Sequence, residues 1–243
     1  MPKGSHDGRI VSWRRITCTA LLAAAAQACP WTAAASEWSG IGTLTSEYIY
    51  RGQSVSDGDP AVQFGIDFEH DSGVFAGLWA STIDLQNNFG ERDTELDFYI
   101  GYRYALQAPV ILTATLIRYT YPGQKSVFNY DYNEALVTAT LHDRHSVEFG
   151  YTSDLYGLGR IGRHWEIRSE WPNASAWVIT AGLGRNDLTG FGGSRYLYWD
   201  LGASVRFSRL TADFRWYDNE QPDSSIGGVS ADSQFVISLS AAF

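Results

Sequence analysis

From Ser36 to the C-terminus, apolar and polar residues take turns along the chain. In residues 234–243, Phe235, Ile237, Leu239, Ala241 and Phe243 share one face, and Gln234, Ser238 and Ser240 share the other. Residues 197–207 set Leu197, Trp199, Leu201, Ala203, Val205 and Phe207 against Tyr198, Asp200, Ser204 and Arg206. Leu210, Ala212, Phe214 and Trp216 oppose Thr211, Asp213, Arg215 and Tyr217; Val62, Phe64, Ile66 and Phe68 oppose Gln63, Asp67 and Glu69. Leu96, Phe98, Ile100 and Tyr102 likewise oppose Glu95, Asp97 and Arg103. A period of two is that of a strand with one apolar and one polar face. No helical stripe competes with it, and no 18 apolar residues follow one another. Twelve such runs are predicted, near 42–51, 60–71, 73–83, 93–105, 109–120, 129–141, 145–154, 163–171, 174–185, 195–207, 209–219 and 231–243. The run at 109–120 is the weakest, being apolar on both faces.

The connections are of two kinds. Tight ones recur at Asp71-Ser72-Gly73, Leu106-Gln107-Ala108, His142-Asp143-Arg144, Trp171-Pro172-Asn173 and Phe207-Ser208-Arg209. Between them come longer, Gly- and Asp-rich loops such as Gly52–Asp59, Asp84–Arg92, Asp187–Ser194 and Glu220–Val229. Short turns at one end and long loops at the other, around an even number of strands, predict an all-β fold: an up-and-down antiparallel transmembrane β-barrel of the outer-membrane type. A soluble β-sandwich also alternates. Three features favour the membrane: charges deep within the polar face, a chain that stops on apolar Phe243, and aromatics near run ends (Tyr48, Trp79, Tyr102, Trp171, Trp199, Phe207, Trp216) that suit interfacial girdles.

Residues 1–35 read as a signal peptide: Arg14 and Arg15, an Ala-rich stretch from Ile16 to Ala28, and a small-residue cleavage site at Ala33-Ala34-Ala35. Gln27 and Pro30 break it too early for a membrane helix. Gln27 also fits poorly before a lipid-bearing Cys29, and Ile16-Thr17-Cys18 does not continue a twin-arginine motif. The mature chain is then a single barrel over 36–243, without cysteine and hence without disulfides.

The whole chain has 243 residues, 14% aromatic, with 18 basic and 27 acidic residues and a formal charge of −9. The leader removes Lys3, Arg9, Arg14 and Arg15 against Asp7 alone, so 14 bases and 26 acids remain, net −12. Such a balance excludes a nucleic-acid partner, and the many large rings exclude disorder.

Much of that charge falls on the polar face. Its acids are Glu47, Asp67, Glu69, Glu95, Asp97, Glu134, Glu148, Asp154, Glu166, Glu170, Asp200 and Asp213; its bases are Arg51, Arg103, Arg168, Arg206 and Arg215. Inward acid–base pairs could fill a small barrel. Five arginines cannot neutralise twelve acids, and uncompensated carboxylates are costly to bury dry. The expectation is a narrow, water-filled lumen that prefers cations. Its partners would be outer-membrane lipid and small ions or polar solutes; the terminal Phe243 resembles the signal that outer-membrane assembly machinery reads in many barrel proteins. A plugged structural or adhesive barrel is the alternative.

Other motifs carry less. Gly157-Leu158-Gly159-Arg160-Ile161-Gly162 has the letters of a dinucleotide loop, but a strand follows it where a helix is required. His142 and His145 flank a tight turn. His145-Ser146, or His164 with Ser169, could seed a barrel hydrolase, but no third, orienting partner is marked. Asp57-Gly58-Asp59 and Asp218-Asn219-Glu220 are solvated carboxylate loops before they are cation sites. The sequon Asn173-Ala174-Ser175 lies in a tight turn. No enzyme activity, cofactor or metal is expected.

Ser46-Glu47-Tyr48-Ile49-Tyr50-Arg51-Gly52-Gln53-Ser54 with Asp57-Gly58-Asp59-Pro60-Ala61 resembles the opening of the TorF family of porins. Gly73-Val74-Phe75-Ala76-Gly77-Leu78-Trp79-Ala80-Ser81 is similar to that family's next strand, and Tyr119-Thr120-Tyr121-Pro122-Gly123 with Tyr132-Asn133-Glu134 to its mid-chain signature. The resemblance implies an exported pore-forming protein of about this length, with no established substrate and no assigned functional residues.

Overall fold

A computed structural model describes residues 36–84, 93–107, 109–122, 129–173, 176–189, 195–220 and 233–243. The expected leader, 1–35, lies outside the described residues, as do 85–92, 190–194, 221–232 and residues 174–175 of the sequon. The strands are β1 (Glu37–Thr45), β2 (Ile49–Tyr50), β3 (Gln53–Ser54), β4 (Ala61–Glu69), β5 (Val74–Ile83), β6 (Asp93–Gln107) and β7 (Val110–Thr120). Then follow β8 (Tyr132–Leu141), β9 (His145–Thr152), β10 (Gly162–Pro172), β11 (Trp177–Asp187), β12 (Arg195–Phe207), β13 (Leu210–Asn219) and β14 (Gln234–Ala242). β1 and β4–β14 form one closed antiparallel barrel, each strand paired with its neighbour in the order β4 to β14. β1 closes the seam, pairing with β14 (Ile41 opposite Ala242) and with β4 (Thr45 opposite Ala61). Closure satisfies the backbone groups of every wall strand within the wall, which a hydrocarbon surround demands.

The alternation becomes an apolar outside and a polar inside. Trp165, Ile167, Leu183, Leu201, Ile237 and Leu239 stand exposed outward, while Glu134, Glu166, Thr180, Asp200, Asp213, Ser238 and Ser240 are buried inward. So wide an apolar exterior is unfavourable in water and stabilising against lipid. Near the short-turn ends it carries Trp38, Phe68, Tyr102, Tyr104, Trp171 and Phe207; near the loop ends, Trp165, Trp199, Trp216 and Phe235. These form the two aromatic girdles of a transmembrane barrel. An arginine at Leu201, midway along β12, should cost about 2–4 kcal/mol, against about 0–1 kcal/mol at Leu210 beside a turn. Urea unfolding in phospholipid vesicles measures both; equal costs would mean the outer face does not meet hydrocarbon.

Three expectations are corrected. The first run, 42–51, is not a wall strand: the wall strand ends at Thr45, and residues 46–60 turn into the barrel as a plug. Tyr48, Ile49 and Tyr50 do alternate, but their strand pairs with β3, through a two-residue hairpin whose tip, Arg51 and Gly52, has φ of 49° and 77°. Positive φ at both central positions is the primed-turn geometry that matches strand twist. Tyr48 and Trp79 therefore face inward, against each other at 5.3 Å, and belong to no girdle. β5 misleads because Ala76, Leu78 and Ala80 on one face and Phe75, Trp79 and Ile83 on the other are both apolar. Finally, Asp154 lies beyond β9, exposed beside a 3-10 turn at Leu155–Gly157, where its carboxylate accepts the Gly159 N–H.

The barrel interior as candidate functional site

The plug is held to the wall by polar contacts. Arg51 at the hairpin tip is buried, and its Nη2 donates to Glu134 Oε2 of β8 at 2.7 Å. The guanidinium lies 4.6 Å from the Tyr50 ring centroid. Tyr119 donates to the same carboxylate oxygen at 3.1 Å and bonds the Tyr50 hydroxyl at 3.0 Å. The plug backbone is also gripped: Tyr196 donates to the Arg51 carbonyl at 3.2 Å, and Asn219 Nδ2 to the Gly52 carbonyl at 2.6 Å. At the root of the plug, burial pushes the half-buried Glu47 carboxyl up from the usual range.

His164, inward on β10, stands between two acids. Its Nε2 lies 3.0 Å from Glu148 and its Nδ1 3.4 Å from Glu134. The ring lies over Gly150 of β9, its register partner, where a Cβ would come within 2.0 Å of it. Gly150→Ala should push the ring off both carboxylates at a cost of about 1–3 kcal/mol. Gly42→Ala, with nothing within 4 Å of a Cβ, should be silent. Thermal melting of the two variants decides; equal melting points would refute the packing.

A second network draws its side chains from three strands, β10, β12 and β13. Asp200 of β12 accepts from Arg168 of β10 at 3.1 and 2.8 Å and from Arg215 of β13. Arg168 Nε donates to Glu166 at 2.9 Å, and Arg215 to Asp213 at 3.2 and 3.1 Å. The Tyr198 hydroxyl donates to Glu166 at 3.0 Å. Towards the short turns, Arg103 pairs with Glu69, and Tyr99 donates to Asp67. Glu170 and Arg206 are half-buried at the same end.

The structure thus places Asp67, Glu69, Glu95, Asp97, Arg103, Glu134, Glu148, Glu166, Arg168, Glu170, Asp200, Arg206, Asp213 and Arg215 on wall strands, with Glu47 and Arg51 on the plug segment and Asp154 outside the barrel. Counting charges overlooked two kinds of partner. One is His164. The other is hydroxyl donors: Tyr99, Tyr119, Tyr121 and Tyr198 each donate to an interior carboxylate, and Thr138 to Glu148. The inward parity of Tyr198 was visible in its run; the partners were not.

The hydrolase pairs are not assembled. Ser169 shares the outward parity of Trp165, Ile167 and Trp171, whereas His164 is buried inward; adjacent His145 and Ser146 face opposite ways. Among the described residues no group of three His, Cys, Asp or Glu is spaced for a metal ion. At the level of the plug the interior is nearly filled. A cavity of about 10 Å³ between Tyr50, Arg51, Tyr132, Glu134, Tyr156 and Asn186 has room for about one water.

The architecture is shared with solved porins. The KdgM porin in complex with disordered oligogalacturonate superposes with a TM-score of 0.53 at 9% identity, over 86% of this chain and 99% of that one. A second KdgM porin structure gives 0.52 at 11%, over 84% and 99%. The COG4313 outer membrane channel from Pseudomonas putida F1 gives 0.48 at 11%, over 88% and 98%. For KdgM the likeness is one of fold: a closed antiparallel barrel. No curated protein matches the sequence. The family model described as a bacterial protein of unknown function, Gcw_chp, matches residues 25–243, so the chain belongs to the Gcw_chp family.

Proposed function

We propose that this chain is an outer-membrane porin that passes small cations or small polar solutes and is closed at rest by its own segment 46–60. The observation that carries the reading is the interior itself: a closed wall lined by charged and hydroxyl side chains, with a plug held by a few polar contacts at its tip. A barrel that only needed stability would be better filled with apolar side chains than with buried ion pairs. The KdgM fold and the TorF-like segment 46–134 support the same reading. Residues 1–35 direct export, the short turns face the periplasm, and the long loops face outward. Phe243 completes the seam, exchanging backbone hydrogen bonds with Gly40 at 2.9 and 3.0 Å, and its outward ring is what the assembly machinery reads.

Planar-bilayer recording of the refolded chain under a KCl gradient tests the proposal. Conductance with a cation-selective reversal potential is expected. Anion preference would defeat the charge argument. Silence from both the wild type and a variant lacking 46–58 would defeat the pore. The filled plug level favours one other reading, a closed structural or adhesive barrel that works through its loops. Loop deletions that abolish surface binding without altering solute uptake would establish that reading instead.

A further inference from the structure

The interior arginines are committed. Arg51 pairs with Glu134, Arg103 with Glu69, and Arg168 and Arg215 share Glu166, Asp200 and Asp213. His164 takes Glu148. Two acids on one strand are left out. Glu95 and Asp97 sit two residues apart on the inward face of β6, 5% and 0% exposed. Glu95 Oε1 accepts from the Tyr121 hydroxyl at 3.1 Å, and the Tyr48 side chain of the plug lies beside the same carboxylate. Glu95 Oε2 and both oxygens of Asp97 are buried without a hydrogen-bond partner among the described residues.

A bare carboxylate pair cannot stay dry and charged. A single proton shared between the two, with Glu95 Oε2 as its acceptor, would still leave one negative charge and one bare Asp97 oxygen in the buried pair. What both groups lack is a cation. Successive inward residues of a strand stand about 7 Å apart, so two flexible carboxylates can converge on one ion. The donors within reach, two carboxylates and two tyrosine hydroxyls, are all hard oxygens with a combined charge of −2. Such a set suits a hard divalent ion and not a thiolate- or imidazole-seeking metal.

We propose that Glu95 and Asp97 form a binding site for a hard divalent cation of the Ca²⁺ class, lodged between β6 and the plug beside Tyr48 and Tyr121. The site stands whether or not the barrel conducts, since binding is read without current.

The test is a CaCl₂ titration of the refolded full-length chain in detergent micelles, followed by calorimetry and by the thermal unfolding midpoint. MgCl₂, NaCl and KCl serve as parallel arms, and E95Q, D97N and the double variant are compared. Retention of heat-modifiable migration on SDS gels certifies that each variant is folded; should one fail, the other carries the test. About one Ca²⁺ per chain is expected, with a rise in midpoint that each single variant weakens about tenfold or more and the double variant abolishes. Without added cation, D97N should melt no lower than the wild type, because it removes an unpaired charge. The proposal is overturned by no Ca²⁺ binding, by equal binding in wild type and double variant, by a response to monovalent ions alone, or by a protonated-carboxyl infrared band that D97N removes and Ca²⁺ leaves unchanged.

Discussion

Replacing Arg51 by alanine should open the barrel. The guanidinium is the only charged group at the tip of the hairpin, and it is buried against Glu134 at 2.7 Å. Removing one partner of a buried pair costs about 3–5 kcal/mol, because the other is left uncompensated. Here the pair joins the plug to the wall and not one wall strand to another. The loss therefore falls on docking of segment 46–60, while the twelve-stranded ladder keeps its own hydrogen bonds. A shift of about 3 kcal/mol changes the docked-to-undocked ratio about a hundredfold. In planar bilayers R51A should show open time or conductance well above that of the wild type, with barrel migration on SDS gels unchanged. Adding E134Q removes the orphaned carboxylate, so R51A/E134Q should dock better than R51A alone, the signature of direct coupling. If R51A and wild type conduct alike, the plug does not govern the pore.

The wall was largely legible in the sequence. Runs such as 195–207 and 234–243 alternate so regularly that any slip by one residue would expose Asp200 to lipid and bury Trp199. Alternation says that two faces differ, however, and not what each face meets. Tyr48 and Tyr50 alternate as a wall strand would, yet their partner is β3 inside the lumen. Trp79 reads as a girdle residue until the plug supplies an apolar neighbour on the inside. Part of the aromatic content therefore serves the plug: Tyr48, Tyr119, Tyr132, Tyr196, Tyr198 and Tyr217 are buried. The interior charges were legible as a set but not as pairs. Parity places Glu95, Asp97 and Arg103 on one face, but which acid an arginine meets depends on strand register, a long-range property that no local pattern encodes. A lone inward histidine such as His164 has the same difficulty, since its two carboxylates come from β8 and β9.

Asp200→Ala should be the most destabilising change in the wall. Asp200 binds Arg168 and Arg215 at once, and Arg168 reaches it from β10 only because Gly182 intervenes on β11. A Cβ at Gly182 would come within 2.3 Å of the Asp200 carboxylate and 2.7 Å of Arg168. Losing the shared carboxylate leaves two guanidiniums in the same buried region, one held by Glu166 and the other by Asp213. The expected cost is about 3–5 kcal/mol, read as a lowered urea midpoint in vesicles. D200N, which keeps the shape and one acceptor oxygen, should lie between it and the wild type; a D200A midpoint equal to wild type would show that the network contributes nothing. Asp200 also carries one of the interior negative charges, so D200A should move the reversal potential towards neutrality. Gly182→Ala separates the two roles, since it displaces the same side chains without changing any charge. A G182A barrel that unfolds early yet keeps the wild-type reversal potential would place stability in the geometry of the bridge and selectivity in the charge count. If G182A shifts the reversal potential as D200A does, selectivity resides in where Asp200 is held and not merely in its sign.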